Sequence, residues 1–155
     1  MRSAFLFTFA GLCLLMALAI AWVLGITLFY PANFLAGFIV DRANLVKAHI
    51  DYLMMAQFLM IFFLAFRHFS LEPPVWVVAA LCYGAFFNPA GFLFGAFSAK
   101  PPVMAGIAPE PHFLVAAAVS FTLTTAGFAA ATALIVRAAW RKVQNETRAF
   151  GQAGK

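Results

Sequence analysis

Residues 3–30, SAFLFTFAGLCLLMALAIAWVLGITLFY, hold no charged side chain and end against Pro31. A helix needs about 20 apolar residues to cross the hydrocarbon core of a bilayer, so the run is long enough to span. Proline then stops it, because it cannot continue a helix without losing a backbone hydrogen bond. A cleaved signal peptide is the rival reading, since Ala17-Leu18-Ala19 mimics a cleavage site. The apolar run continues past that point through Leu28 and Phe29, so no cleavage is expected.

The rest of the chain has the same character. Of its 155 residues 65% are hydrophobic, 17% aromatic and only 10% charged, too few charges to coat a water-facing surface. Three further apolar runs follow, at about 47–66, 74–98 and 112–139, and a short basic tail occupies 140–155. The expected fold is an all-α membrane protein, a bundle of four transmembrane helices in a single domain over 1–155, with no room for a soluble catalytic domain. Residues 31–46 mix aromatic side chains with Asn33, Asp41, Arg42 and Asn44, as a loop at headgroup level would. Residues 99–111 are rich in proline and predict a stiff outer loop. Cys13 and Cys82 lie inside apolar runs and read as small core residues.

Alternating four spans puts Arg2, Arg67, Arg137, Arg141, Lys142, Arg148 and Lys155 on one side, and Arg42, Lys47 and Lys100 on the other. The positive-inside rule then places both termini in the cytoplasm, across a bacterial-type inner membrane. The net charge of +5 is a topology signal on this reading. A nucleic-acid patch would need an aromatic binding platform beside the basic tail, and none accompanies it.

An ionisable group at the centre of a span costs roughly 2.5–3.5 kcal/mol on insertion scales, so each one calls for an interface, a partner or a function. His49 and Asp51 are expected within the first turn or so of span two. On helical spacing His49, Leu53, Ala56 and Met60 share a face, with Tyr52 and Gln57 at its edges. A neutral imidazole at the mouth of such an apolar slot suits axial ligation of a haem iron better than a hard metal. The alternative is an interfacial anchor. A divalent metal held by His49, Asp51, Glu110 and His112 is disfavoured, because partners two apart on a helix point about 200° from each other. Glu110-Pro111-His112 reads more economically as the entry to span four, with the acid near the positive end of the helix dipole.

Gln57 and Asn88 are the remaining deep polar groups. Both can donate to the oxygen of a buried ligand; equally, Asn88 can satisfy the carbonyl freed by Pro89, and Gln57 can bond a neighbouring helix. Pro89 itself predicts a kink in span three. No Ser-His-Asp pattern, phosphate-binding glycine loop or H-E-x-x-H occurs, nor the C-x-x-C-H of covalent haem attachment.

Lys47-Ala48-His49 followed by Met54-Met55, then Phe87-Asn88 and Phe94-x-x-Phe97-Ser98, resemble the styrene oxide isomerase family of small four-span membrane proteins. The resemblance implies haem b held by His49 and a reaction without net redox; Met60, on the His49 face, and Phe92 are the candidate cofactor contacts, with packing or lipid contact the plainer reading of Met60. In that family ferric haem acts as a Lewis acid on an epoxide oxygen, the ring opens toward a carbocation, and a hydride shift yields the aldehyde. It also implies Asn88 as an orienting group. Met55, Gly84 and Phe92 stand where the family carries an Asn, an acid and a Tyr; an alignment shifted by one turn brings Tyr52 or Gln57 into the vacant role. The family's trimers hold haem between subunits, and the small-residue face Ala126, Gly127, Ala130 and Ala131 is the expected contact in a homo-oligomer. The implied partners are a small hydrophobic substrate and membrane lipids. The competing classes are a haem-binding sensor or electron-transfer module without turnover, and a metal-free structural membrane protein.

Overall fold

The computed structural model describes residues 2–98 and 111–153. Five helices follow in order: α1 Arg2–Phe29, α2 Phe34–Phe38, α3 Arg42–His68, α4 Val75–Phe97 and α5 Pro111–Ala153. Four of them, all but the short α2, are long and apolar enough to cross a membrane. The protein is a multi-pass, all-helical membrane protein. The outer loop expected over 99–111 lies outside the described residues apart from Pro111, which begins α5.

Helix α3 starts earlier than its hydropathy implies. Asp41 accepts hydrogen bonds from the amides of Ala43 and Asn44 at 3.0 and 3.2 Å, which satisfies two of the orphan donors of the first turn. The polar stretch Arg42–Val46, expected as loop, is therefore helical. At its other end α3 closes on a Schellman motif. The Leu71 amide donates to the Phe66 carbonyl and the Ser70 amide to that of Arg67, with Ser70 in the left-handed region at φ 50°. Glu72, in the turn before α4, caps α1: it accepts from the Arg2 amide at 3.1 Å and from Ser3 Oγ at 3.4 Å. Helix α4 begins after Pro74 with no side-chain cap.

These contacts fix the antiparallel arrangement. The start of α1 meets the α3–α4 turn, while the far end of α4 meets the start of α3, where the Val40 and Asp41 amides both donate to the Ala96 carbonyl. At that same level Arg42 donates to the Leu24 carbonyl near the negative end of the α1 dipole. Helices α1 and α3 share the most extensive packing; α4 packs on α3 and α5 and more lightly on α1, whereas α5 leans almost entirely on α4. The bundle is thus open along α5 rather than closed on itself.

Small residues bring α4 and α5 together. A Cβ on Gly127 would lie 2.8 Å from Ala80 Cβ and 3.1 Å from the Leu81 amide nitrogen, and one on Gly84 would strike the Thr124 side chain. Ala131 is fully buried in the same seam. The face expected to join protomers is corrected here: Gly127 and Ala131 are consumed inside the chain, Ala130 packs partly against its core, and Ala126 alone of the four is exposed. Without a hydrophobic drive between helices in lipid, van der Waals contact has to hold them, and it requires backbones this close.

Helix α4 stays helical across Pro89, which is buried. The carbonyl that Pro89 leaves without its amide partner, that of Ala85, faces Cys13 Sγ of α1 at 3.8 Å. Of the two roles open to Asn88 in the sequence, satisfying this carbonyl is not the one it takes, since its amide turns toward Ser120 and Thr124 of α5. Cys13 and Cys82 are both buried and unbridged.

Candidate functional site

With α3 starting at Arg42, His49 sits seven residues into the helix, about 10 Å along it, rather than at its mouth. Its ring is half-buried against α1, and Nδ1 lies 2.9 Å from the Ala17 carbonyl. A carbonyl only accepts, so Nδ1 carries the proton and donates it. In the neutral imidazole the lone pair is then on Nε2. A backbone carbonyl on one ring nitrogen, fixing the tautomer and orientation of the other, is the arrangement that metal-bound histidines use. The chemistry of this donor therefore fits a haem iron. Met60, three turns further on, packs partly buried against the core.

A second feature lies across the bundle. A groove of ≈ 540 Å³ runs along α4 and α5 at the end where α3 begins, lined among others by Asn44, Tyr83, Phe87, Asn88, Phe92 and Ser120. This volume is within the range of small-ligand pockets. Asn88 is half-buried there: its Oδ1 accepts from Ser120 Oγ at 2.6 Å and its Nδ2 donates to Thr124 Oγ1 at 3.1 Å. Thr124 passes its own proton to the Ser120 carbonyl at 2.7 Å. One N–H of the Asn88 amide stays uncommitted by these bonds. Phe92 carries the Lys47 ammonium 5.7 Å from its ring centre, which draws that long side chain over the groove's apolar wall.

Tyr52 and Gln57 fall elsewhere. Tyr52 is fully buried, packs edge-on against Phe86 and donates its hydroxyl to the Phe86 carbonyl at 3.2 Å. It ties α3 to α4. Gln57 is exposed on the outer face of α3. Within one chain, then, Asn88 and Phe92 share the groove, while His49 lies against α1 and lines neither this groove nor the clefts at the opposite end. Among the described residues no three His, Cys, Asp or Glu side chains converge as a metal site. Of the disfavoured four-ligand set, Glu110 and the His112 side chain lie outside those described.

Comparisons with protein-family profiles, curated proteins and solved structures return no match to this chain.

Ser120, Thr124 and the Ala17 carbonyl were missed in the sequence. Ser120 and Thr124 were nonetheless signalled, since two hydroxyls four residues apart in an apolar helix share a face and can reach one amide on a neighbour. The Ala17 carbonyl had no such signal, because every residue has one.

Proposed function

We propose that this chain is a haem b-binding protein of a bacterial-type inner membrane, with both termini cytoplasmic and His49 as the axial ligand, which isomerises a small hydrophobic epoxide to an aldehyde. The observation that carries the reading is the 2.9 Å bond from His49 Nδ1–H to the Ala17 carbonyl, which leaves the Nε2 lone pair as the ring's donor atom. When bound, haem b supplies a Lewis-acidic iron able to polarise an epoxide oxygen. The orientation draws on charge: Arg2, Arg67, Arg137, Arg141, Lys142 and Arg148 belong to the end of the bundle that holds the α3–α4 turn, and Arg42 and Lys47 to the other.

The remaining parts fall to the chain's own side chains. Phe87, Phe94 and Phe121 make the groove apolar and keep water from a substrate within it. Asn88 offers its spare N–H to a substrate oxygen, held in place by Ser120 and Thr124. His49 and the groove occupy different faces, so the reading needs a homo-oligomer, a trimer on the resemblance, in which the groove of one protomer meets the His49 face of the next. Met60 and Phe92 are then the apolar contacts of the cofactor.

A haem-binding module without turnover is the second reading. It is favoured by how fully the polar groups are engaged inside the protein: Tyr52 on Phe86, and Asn88 on two hydroxyls. Protein purified in detergent should show a Soret band that His49→Ala abolishes; full haem content and an unaltered spectrum in His49→Ala would refute the ligand assignment. Aldehyde formed from an aryl epoxide by the holo protein, and diminished in Asn88→Ala, separates the isomerase from the silent module.

A further inference from the structure

At the end of the bundle opposite the groove, α5 and the α3–α4 turn enclose a cleft of ≈ 540 Å³. Its floor includes Leu71 and Leu134, and its rim carries Arg137, Arg141, Lys142 and His68. Positions 134, 137, 138, 141, 142 and 145 of α5 all line it, one continuous helical face turned toward the turn. Among the described residues none of the three cations makes an ion pair. The one acid in the cleft, Glu146, leaves a surplus of positive charge. The cleft's depth is set by the same chain: α5 carries no charged residue from Phe113 to Val136, about 36 Å of helix, so Arg137 marks the point where the apolar span gives way to the headgroup layer.

Unpaired cations above an apolar floor, in a concavity at that depth, match one chemistry: a phosphodiester with acyl chains attached. We propose that this cleft is a binding site for the headgroup of an anionic phospholipid, its phosphate between Arg137, Arg141 and Lys142 and a chain running down past Leu134. Arginine suits the task through its planar fork of donors, which meets two phosphate oxygens at once. Diffuse attraction of a basic tail to an anionic bilayer would not depend on the cleft's shape, and that difference is measurable.

The test titrates the full-length protein in detergent with phosphatidylglycerol and, separately, phosphatidylcholine, and reads bound lipid by native mass spectrometry. One saturable phosphatidylglycerol should be retained in clear preference to phosphatidylcholine. Each cation near the surface contributes about fivefold in affinity, so Arg137→Gln with Arg141→Gln should weaken retention about 25-fold, while Arg148→Gln on the same helix leaves it unchanged. Ala138→Phe fills the cleft and keeps every charge, and should also lose the lipid. Should the double variant lose its helical circular dichroism, Ala138→Phe decides alone. Equal binding of phosphatidylcholine, undiminished binding in Ala138→Phe, or displacement by inorganic phosphate at lipid-like concentration would overturn the proposal, the last by making the cleft a free-anion site.

Discussion

Replacing Gly127 by alanine places a methyl group where the structure has no room for one. Its Cβ would sit 2.8 Å from Ala80 Cβ and 3.1 Å from both the Ala80 carbonyl carbon and the Leu81 nitrogen. Two of these three neighbours are backbone atoms of α4, so no rotamer change relieves the contact; the helices must part. Overpacking of this kind costs about 1–3 kcal/mol. Against it stands the higher helix propensity of alanine over glycine, about 1 kcal/mol in water. Gly11→Ala isolates that opposing gain, because a Cβ there meets nothing within 4 Å. The difference between the two variants cancels propensity and leaves the steric cost, about 1–3 kcal/mol, or about 2–4 °C in melting temperature per kcal/mol for a chain of this size. Tryptophan fluorescence followed during heating in detergent measures both. Parting α4 from α5 would also stretch the bonds from Asn88 to Ser120 and Thr124, so loss in Gly127→Ala should be partly non-additive with Asn88→Leu. If Gly127→Ala melts at or above Gly11→Ala, close backbone approach is not what holds α5 to the bundle.

Three further perturbations follow from named contacts. Ser70→Gly removes a side chain from a left-handed backbone position and should raise stability by about 1 kcal/mol, read as a higher melting temperature. Cys13→Ala removes the donor facing the Ala85 carbonyl and leaves a buried acceptor unmet beside Pro89, a loss of about 1–3 kcal/mol that Cys13→Ser should largely avoid. A double-mutant cycle of Asn88→Leu and Ser120→Ala should give a coupling energy of about 0.6 kcal/mol and at most about 1.7, the range for hydrogen bonds between membrane helices; strictly additive losses would show that the 2.6 Å bond is not formed in the membrane.

The spans were legible because their signal is composition over a length, and the bilayer sets that length. Runs such as Ser3–Tyr30 leave one option for the backbone, since lipid offers no hydrogen-bond partners and only a helix satisfies its own. Boundaries were less legible where a cap overrode hydropathy. Asp41 extends α3 over residues that read as a polar loop, and this moves His49 from the helix mouth to its interior. In the site, His49 and Asn88 were visible as polar residues out of place. Their partners were not, because a backbone carbonyl carries no sequence mark and a hydroxyl in an alanine-rich helix is commonplace.

Alone, the residues determined how many helices are long and apolar enough to cross a bilayer, roughly where each apolar run lies, and which groups inside them are costly enough to need a reason. Apolar length and the absence of charge are local quantities, so local reading recovers them. Only the tertiary structure decided what each costly group faces: His49 the Ala17 carbonyl, Asn88 the hydroxyls of α5, and Cys13 the carbonyl stranded by Pro89. It also decided that Gly84 of α4 and Gly127 of α5 serve the chain's own packing. Such pairings depend on which helix lies beside which and at what rotation, and in lipid, where every helix exterior is similarly apolar, close-packed shape makes that choice.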